Sequence, residues 1–538
     1  MKESAFLPTH PEVTFSRTAS VFDAPLGRGP LFRLFSCGLV ACALGAPAAG
    51  QSAQTEPEAW ARAESAGFTV FSSSGLASAA GVAAALEVFR ATFARLVPGA
   101  RTEPLAPVIV LAFDRFESYE PYAPRYDGRP IPVAGSFIGT SRANYLVLTL
   151  DDPDKAWTVA FHELTHLIVS QTLARPPTWF NEGIAEYYST LRPAGSTATI
   201  ELGHLVPDHL ARLRRDPWIP LDELFAVSPD SPLYNEGDRR SMFYAESWAV
   251  VHYLLDDTAR SRRLFDYLSR TANGQASASA FRAAFEMAPG TLQESVRRYV
   301  QQSEWPVKRY EMPPAAAGRV HGAVAIDSAT WLAALAGLHL TLGRAGDAMA
   351  LAQQSANSRP SSGVGWALLA ASLTEQHLDV ESAPFVQRAA ADLPQDPFVL
   401  CLLGTSAIAV AERAQDSELP RPAALHVAIR SLEAAVRLSP GYAEAWATLA
   451  HAALNVGTEA DLALRASRNA RTLAPTRLHY RLFEAQALMQ RGEWAAARRL
   501  MDELFELPLD PQLADKAAEV LARIAALESA VAPPAPRR

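Results

Sequence analysis

The first 300 residues alternate short apolar runs with longer amphipathic stretches, a pattern that predicts mixed strands and helices. Apolar residues at helical spacing predict a helix near Leu76–Leu96, and residues 203–302 are predicted to be mostly helical. Strands are predicted where short apolar runs are bounded by turn residues: near Phe68–Ser73, Val108–Phe113, Phe137–Gly139 and Tyr145–Leu150.

Two further helices are predicted in the middle of this region. Three aspartates within residues 151–154 mark the start of a helix from about Lys155 to Leu173, because carboxylates favour the positive end of a helix dipole. Prolines at positions 176 and 177 end this helix, and the next one starts near Trp179. Strands followed by helices give an α+β layout for residues 67–302.

The chain after a Pro/Ala-rich linker at residues 303–326 is predicted to be helical. Prolines near the ends of helical pairs recur at about 34 residues, with one longer interval that accommodates a polar insertion at Glu412–Pro422. These prolines are Pro360, Pro394, Pro440, Pro475 and Pro508. Residues 327–528 therefore resemble an all-α tetratricopeptide-repeat solenoid whose last helix is a cap, followed by a disordered tail at 529–538. A helical bundle without repeats is the alternative.

The composition excludes several classes of function. A chain of 538 residues is too long for one core, so two or three domains are expected. The formal net charge of -8, with lysine and arginine spread along the chain, offers no surface for nucleic acid. The three cysteines are Cys37, Cys42 and Cys401, and the first two lie in an N-terminal apolar segment. Without that segment neither a disulfide scaffold nor a cysteine-rich zinc site can form.

The N-terminal apolar segment, residues 34–49, predicts export to the bacterial periplasm or the exterior. It follows two arginines and ends in small residues, and Ala46–Ala48 fits the cleavage rule of a signal peptidase. The segment is shorter than the roughly 20 residues that a membrane span needs, and no other stretch is predicted to span. We assign residues 1–50 to a signal peptide or N-terminal extension and residues 51–66 to a linker.

Two alternatives apply to this segment. Leu39–Cys42 resembles a lipobox, which would make the protein a lipoprotein anchored through a lipid on Cys42. The other alternative is a disordered apolar tail. The segment also begins late for a signal peptide, so Met1 need not be the true start.

The string HELTH at residues 162–166 carries the candidate chemistry. Two histidines four positions apart, His162 and His166, share one helix face, so both imidazoles can meet one zinc ion about 2 Å away. Zinc lowers the pKa of a bound water towards about 7, and Glu163 beside the histidines can take a proton from that water. The apolar neighbours Phe161 and Leu164 are those that a buried helix needs.

The next helix contains WFNEGIAEY at residues 179–187. Together with HELTH, this string resembles the gluzincin metallopeptidases, and most of all their peptidase MA-like branch. The resemblance implies a zincin-like metallopeptidase domain over residues 67–302, with Glu182 as the third zinc ligand. Because Glu186 lies one turn further on the same face, its carboxylate can accept the free N–H of a ligand histidine and fix that ring.

The resemblance also implies a donor to the oxyanion of the tetrahedral intermediate, often a tyrosine. Tyr244 lies 62 residues after Glu182, a spacing similar to that of aminopeptidase relatives. Loss of one such donor costs about 3 kcal/mol. The alternatives are that Tyr244 is an ordinary buried aromatic or that His252 is the donor. Tyr234 and Tyr253 are further candidates.

Gluzincins hold the peptide along an edge strand just before the zinc helix. Tyr145–Thr149 is the strand in that place, so we expect it to pair with an extended substrate. The aminopeptidase branch carries a Gly-x-Met-Glu-Asn string here, whereas this chain has Gly135–Ile138 and Arg142–Asn144. We therefore expect endopeptidase action or action on a special peptide.

Three functions remain open from the sequence. The first is an exported zinc metallopeptidase that acts on a peptide or protein and binds a protein partner through the repeats. The second is a non-catalytic protein-binding scaffold with a structural or inactive zinc site. The third is a zinc hydrolase of a non-peptide ester or amide. An intact Glu163 favours catalysis, because a structural zinc site needs no base.

Overall fold

The computed structural model describes residues 60–531, apart from residues 127, 128, 174, 195, 236, 313–319, 415 and 508. The segment on which the export and lipid-anchor predictions depend lies outside the described residues, as does the predicted tail from residue 532 on. The strands are β1 (Ala61–Glu64), β2 (Phe68–Ser72), β3 (Val108–Phe113), β4 (Arg125–Tyr126), β5 (Arg129–Pro130), β6 (Gly135–Gly139), β7 (Asn144–Thr149), β8 (Arg192–Ala194), β9 (Ser196–Leu202), β10 (Lys308–Glu311) and β11 (His321–Ala325).

A first set of helices lies before residue 303. They are α1 (Gly75–Leu96), α2 (Phe116–Tyr119), α3 (Pro153–Thr172), α4 (Thr178–Tyr188), α5 (Pro207–Arg215), α6 (Leu221–Ala226), α7 (Pro232–Asn235), α8 (Gly237–Asp256), α9 (Thr258–Ala272), α10 (Ser277–Phe285) and α11 (Pro289–Val300). The helices after residue 327 are α12 (Ser328–Thr341), α13 (Ala345–Ser358), α14 (Gly363–Glu375), α15 (Asp379–Ala391), α16 (Pro397–Arg413), α17 (Arg421–Leu438), α18 (Ala443–Val456), α19 (Ala460–Leu473), α20 (Tyr480–Gln490), α21 (Trp494–Phe505) and α22 (Pro511–Val531).

A six-stranded mixed sheet with the order β11-β1-β2-β3-β7-β6 forms the centre of the first half. β2, β3 and β7 run parallel, whereas β6, β1 and β11 run antiparallel to their neighbours. Every residue of β3 is buried, because alternate side chains enter different cores: Val108 and Val110 on one face, Ile109 and Leu111 on the other. The region thus combines strands and helices, while its zincin-like classification stays a prediction.

Two segments that were predicted as linkers contain strands. β1 lies within residues 51–66, and β10 and β11 lie within residues 303–326. β11 pairs with β1, and β10 pairs with β9, more than 100 residues away. The order of these segments comes from hydrogen bonds to distant strands, which a local sequence pattern does not reveal. The first half therefore ends near residue 326 and not at residue 302.

One face of the sheet is covered by α1 and α3. Phe161 of α3 stacks on Phe89 of α1 with ring centroids 4.8 Å apart. The sequence analysis predicted no membrane-spanning stretch after the N-terminal apolar segment. By length and composition, however, α1 is long and apolar enough to cross a membrane. Its Leu86 and Phe89 are fully buried against the sheet, as in the core helix of a globular domain.

The helices after residue 327 form five consecutive pairs, from α12–α13 to α20–α21, and α22 packs on the last pair. The predicted all-α repeat region is confirmed. Gly343 and Gly492 adopt φ of 71° and 76° and turn the chain between the helices of the first and last pairs. The longer interval arises because α16 and α17 have 17 and 18 residues, so part of the predicted insertion Glu412–Pro422 is helical.

The other face of the sheet is covered by the first helices of these pairs. Trp331 of α12 stacks on Trp60, and Phe398 of α16 meets Tyr145 edge to face. The loop between β6 and β7 is also held, since Arg142 pairs with Glu375 at 2.6 Å. Each large apolar side chain buried in this way contributes about 1.5–3 kcal/mol. The sheet and the repeats therefore share one continuous hydrophobic core.

Candidate metal centre

Helix α3 presents both histidines of the HELTH string. Asp152 caps its N-terminus by accepting a hydrogen bond from the backbone N–H of Lys155, and Pro153 begins the helix. One side of α3 is buried in the core through residues such as Phe161 and Leu164. The side chains of His162 and His166 lie on an adjoining side and remain partly exposed.

Three ligand atoms converge where α3 meets α4. Nε2 of His162 and Nε2 of His166 lie 3.0 Å apart. Oε2 of Glu182 lies 3.6 Å from the first and 3.4 Å from the second. Among the described residues, this is the group of three or more histidine, cysteine or acidic side chains that could hold a metal ion. The structure thus brings together the three side chains that were predicted as zinc ligands.

The geometry of this triad fits a zinc ion. Two ligands about 2.0–2.1 Å from a tetrahedral ion lie about 3.3 Å apart, close to the three separations observed. Oε2 of Glu182 is buried and makes no hydrogen bond within the described residues, although an unsatisfied buried carboxylate oxygen is costly. Two imidazole nitrogens and one carboxylate oxygen are donors that zinc accepts.

The charges around the triad reinforce one another. Burial opposes ionisation of Glu182, but the adjacent His166 and His162 outweigh it and hold the pKa of this carboxyl well below its usual range. Burial likewise opposes charge on His162, but Glu182 and Glu186 raise the pKa of that imidazole to about 9. The carboxylates therefore attract positive charge to this position, which favours a bound cation.

The packing of α4 on α8 explains why Glu182 can be buried. A Cβ atom on Gly183 would lie 2.3 Å from the carbonyl oxygen of Ser247 on α8, so only a glycine allows the two helices to approach this closely. This contact places Glu182, with 3% of its side chain exposed, beneath the histidines. Gly183 therefore allows the helix packing that positions its neighbour Glu182, a candidate ligand.

Glu186 lies beside His162, and its predicted role of accepting the free N–H of that ring stays a prediction. Its Oε1 is 3.6 Å from Nδ1 of His162, and its Oε2 is 3.2 Å from Nε2 of His209 on α5. Burial raises the pKa of the Glu186 carboxyl, but His209 and His162 lower it by more, so its pKa lies below the ordinary value. His209 was missed by the sequence analysis, because nothing in its local pattern indicates that α5 packs beside α4.

Glu163 lies next to the two histidine ligands on α3. Burial raises the pKa of this carboxyl above its ordinary value, while His162 and His166 oppose the shift. A carboxylate with a raised pKa beside a metal centre can accept a proton from water and donate it again.

The structure places Tyr234 directly on the triad. Its hydroxyl donates a 2.8 Å hydrogen bond to Oε1 of Glu182. The ring of Tyr244 stacks on the ring of Tyr234 at a centroid distance of 6.2 Å. Burial and Glu182 together raise the pKa of Tyr234 far above its ordinary value, so its phenol stays a donor. The role predicted for Tyr244 stays a prediction, whereas Tyr234 contacts a candidate ligand.

The two other candidate donors have partners away from the triad. His252 is buried, and its ring nitrogens lie 2.9 Å from the hydroxyl of Tyr299 and 2.9 Å from the carbonyl oxygen of Gly203. The ring of Tyr253 lies under the guanidinium of Arg260. Both side chains are thus engaged in packing around α8.

β6 is one of the two edge strands of the six-stranded sheet, and β11 is the other. The predicted substrate-binding strand, Tyr145–Thr149, forms most of β7 and pairs with β3 on one side and β6 on the other. That prediction is wrong, because the sequence order of two adjacent strands does not say which one lies outside. β6 runs antiparallel to β7 and lies beside α3, where Gly135 approaches Val159.

Comparisons with known proteins gave matches among solved structures alone. No family model matches the chain, and no curated protein matches it. The tetratricopeptide-repeat protein TTC0263 of Thermus thermophilus is 21% identical, over 36% of this chain and 99% of that chain, with a TM-score of 0.28. PilF of Pseudomonas aeruginosa is 16% identical, over 39% and 93%, with a TM-score of 0.27. YrrB, a repeat protein with an unusual peptide-binding site, is 15% identical, over 35% and 90%, with a TM-score of 0.28.

Proposed function

We propose that the protein is an exported zinc-dependent peptidase of the gluzincin type. The observation that carries this proposal is the convergence of Nε2 of His162, Nε2 of His166 and Oε2 of Glu182 within 3.6 Å of one another. Three protein ligands leave one position of a tetrahedral zinc ion for water or substrate, which a catalytic site requires and a structural site does not.

The chain's own residues supply the proton transfers. When bound, zinc polarises a carbonyl group and lowers the pKa of a water molecule. Glu163 takes a proton as the water oxygen adds to the carbonyl carbon of the peptide. The same proton then passes to the nitrogen as the C–N bond breaks, which gives an amine and a carboxylic acid, and the remaining proton of the acid passes to the amine or to solvent. Glu186, with His209 behind it, keeps the ring of His162 in place.

An extended peptide is proposed to lie along β6. The outer edge of this strand carries backbone groups that can pair with a substrate strand, and its inner edge is already paired with β7. We assign the donor to the developing oxyanion to Tyr244, whose ring stacks on that of Tyr234, because the Tyr234 hydroxyl already donates its hydrogen to Glu182.

A second function, protein binding by the repeats, is favoured by the five helix pairs, since solenoids present extended binding surfaces. The first helices of several pairs already cover the sheet, as Trp331 and Phe398 show. A protein partner is therefore proposed to bind the repeat surface that the sheet leaves open.

Metal analysis and a peptide-library digest test the peptidase proposal together. Purified protein is expected to contain one zinc per chain, to lose it on His166→Ala and to keep it on Glu163→Gln. Wild type is expected to cleave peptides, and Glu163→Gln to be slower by several orders of magnitude. Equal cleavage by both proteins would indicate a contaminant. If the protein retains zinc but cleaves no peptide, the result would support the non-catalytic protein-binding scaffold. Cleavage of non-peptide ester or amide substrates alone would indicate a non-peptide hydrolase.

A further inference from the structure

The turn between β6 and β7, residues 140–143, is closed by hydrogen bonds of its own. The backbone N–H of Thr140 donates to the carbonyl oxygen of Ala143 at 3.0 Å, and the Thr140 hydroxyl donates to the same oxygen at 2.7 Å. Oγ1 of Thr140 also accepts from the backbone N–H groups of Arg142 and Ala143, at 3.2 and 3.0 Å. A turn with these internal bonds keeps its shape, so a force on Arg142 reaches both strands.

Two residues of the repeats hold this turn. Nη1 of Arg142 donates a 2.6 Å hydrogen bond to Oε1 of Glu375, the last residue of α14 in the second helix pair. The carbonyl oxygen of Arg142 accepts a hydrogen bond from the hydroxyl of Tyr442, which is fully buried and directly precedes α18 in the fourth pair. One residue of the turn is thus joined to two separate repeats, through its side chain and through its backbone.

The other end of β6 is fixed beside α3. A Cβ atom on Gly135 would lie 2.5 Å from the side chain of Leu148 on β7 and 3.3 Å from that of Val159 on α3, so β6 packs closely on both neighbours there. Val159 lies one helical turn before Glu163 and therefore on the same face of α3. β6 thus runs from the face of α3 that carries Glu163 to the turn that the repeats hold.

We propose that the repeats position the strand that binds the substrate, with Glu375 and Tyr442 as positioning residues that act on β6 through Arg142. The inference rests on the proposed peptidase function, in which an extended peptide pairs with the outer edge of β6. A strand that is fixed at both ends is preorganised for this pairing. A strand released at the turn must be ordered again each time a peptide binds, which weakens binding.

Peptide kinetics with two repeat variants test this inference. Glu375→Ala removes the partner of the Arg142 guanidinium, and Tyr442→Phe removes one hydroxyl. Each is expected to raise KM for an extended peptide longer than β6 about 5–10-fold and to change kcat less than about twofold, because the ordering cost is the same in the ground state and the transition state.

Arg101→Ala is the matched control for these variants. Nη1 of Arg101 donates a 2.7 Å hydrogen bond to the carbonyl oxygen of Leu473 in α19, so it crosses the same junction between the first half and the repeats. Arg101 lies ahead of β3 and not in the turn between β6 and β7. Its replacement is therefore expected to leave KM at the wild-type value.

Amide hydrogen exchange of residues 135–139 measures the hold on β6 without a substrate. Glu375→Ala and Tyr442→Phe are expected to speed exchange at the amides paired with β7 about 5–10-fold, and Arg101→Ala is expected to leave it unchanged. If wild type cleaves no peptide, the peptidase proposal fails, while faster exchange in both variants still supports the hold of the repeats on β6. Unchanged exchange in both variants overturns the inference, and so does faster exchange with an unchanged KM.

Reversal of one ion pair separates this contact from a general loss of structure. Arg142→Glu places two carboxylates side by side and is expected to raise KM at least tenfold. Addition of Glu375→Arg restores opposite charges and is expected to return KM to within about threefold of wild type. Circular dichroism establishes that each variant is folded. A folded double variant whose KM is no lower than that of Arg142→Glu contradicts the role given to Glu375.

Discussion

The hydroxyl of Tyr234 donates a 2.8 Å hydrogen bond to Oε1 of Glu182, while Oε2 of the same carboxylate faces the two histidines. The two carboxylate oxygens of Glu182 thus have different partners. The phenol fixes the rotation of the carboxylate, so that its second oxygen is directed towards the position of the metal. α7, which begins 50 residues after the ligand, thereby becomes part of the centre.

Replacing Tyr234 by phenylalanine is expected to weaken zinc binding. Loss of the hydrogen bond frees the Glu182 carboxylate to rotate, and loss of such a partner typically lowers metal affinity about 10–100-fold. The affinity is measured by competition with a chromophoric chelator. Tyr253→Phe is the matched control, because its ring packs under Arg260 away from the triad, and its zinc affinity is expected to stay that of wild type. If Tyr244 is the oxyanion donor, Tyr244→Phe lowers kcat about 100-fold or more. Equal affinity in wild type, Tyr234→Phe and Tyr253→Phe would contradict the role given to Tyr234.

Glu186→Ala is expected to lower zinc affinity about tenfold or more, because His162 loses the carboxylate beside its Nδ1. The same chelator competition measures it. Glu201→Ala is the control, since Glu201 also pairs with a histidine, His204, but contacts no ligand of the triad. The prediction fails if the two variants hold zinc equally well.

Gly183→Ala is expected to destabilise the protein and to displace Glu182. The added Cβ would lie 2.3 Å from the carbonyl oxygen of Ser247, so α4 and α8 must separate. Forcing atoms into a packed core typically costs about 1–3 kcal/mol. Thermal unfolding and zinc content report the two effects. Gly290→Ala, at a position where an added Cβ meets nothing within 4 Å, is expected to be neutral. Wild-type unfolding of Gly183→Ala would show that the helices are not in tight contact.

Glu246→Gln is expected to change how stability depends on pH. Burial raises the pKa of this fully buried carboxyl to about 8, although the backbone N–H of Ile219 and the charge of Arg297 oppose the shift. The unfolded chain loses the same proton near the ordinary value of about 4.5, so stability is full below that pH and falls as the pH rises towards 8.

Urea denaturation at about pH 5 and about pH 8.5 checks this expectation. The two proteins should be similar at the lower pH, because the wild-type carboxyl is then neutral in the folded state. At the higher pH the Gln variant should be the more stable, because an amide does not ionise. The role given to Glu246 is refuted if Glu246→Gln loses as much stability as wild type between about pH 5 and about pH 8.5.

The triad was predictable because its spacing is local. His162 and His166 are one helical turn apart, so sequence periodicity indicates a shared face. Glu182, in the next helix, was predicted from the resemblance of the N-E-G string to the gluzincins. The repeats were predictable for a similar reason, since each pair repeats its own pattern of apolar positions and turns.

The remaining parts of the site depend on contacts between distant segments. Tyr234 and His209 reach the triad only because α7 and α5 fold back onto α4, and nothing in their own neighbourhoods indicates this. The outer position of β6 and the pairing of β10 and β11 are likewise set by sheet order. Sequence order gives neighbours in the chain, whereas these features depend on neighbours across the sheet.

The core that the sheet shares with the repeats has a consequence for biosynthesis. A chain that emerges from the ribosome N-terminus first completes β3 long before α12 and α16 exist, and β11 must still arrive to pair with β1. Until then, Leu111 and its neighbours on that face stay uncovered. The nascent first half thus exposes an apolar sheet face while about 200 further residues are translated. The repeat helices bury this face once they have been synthesised and folded.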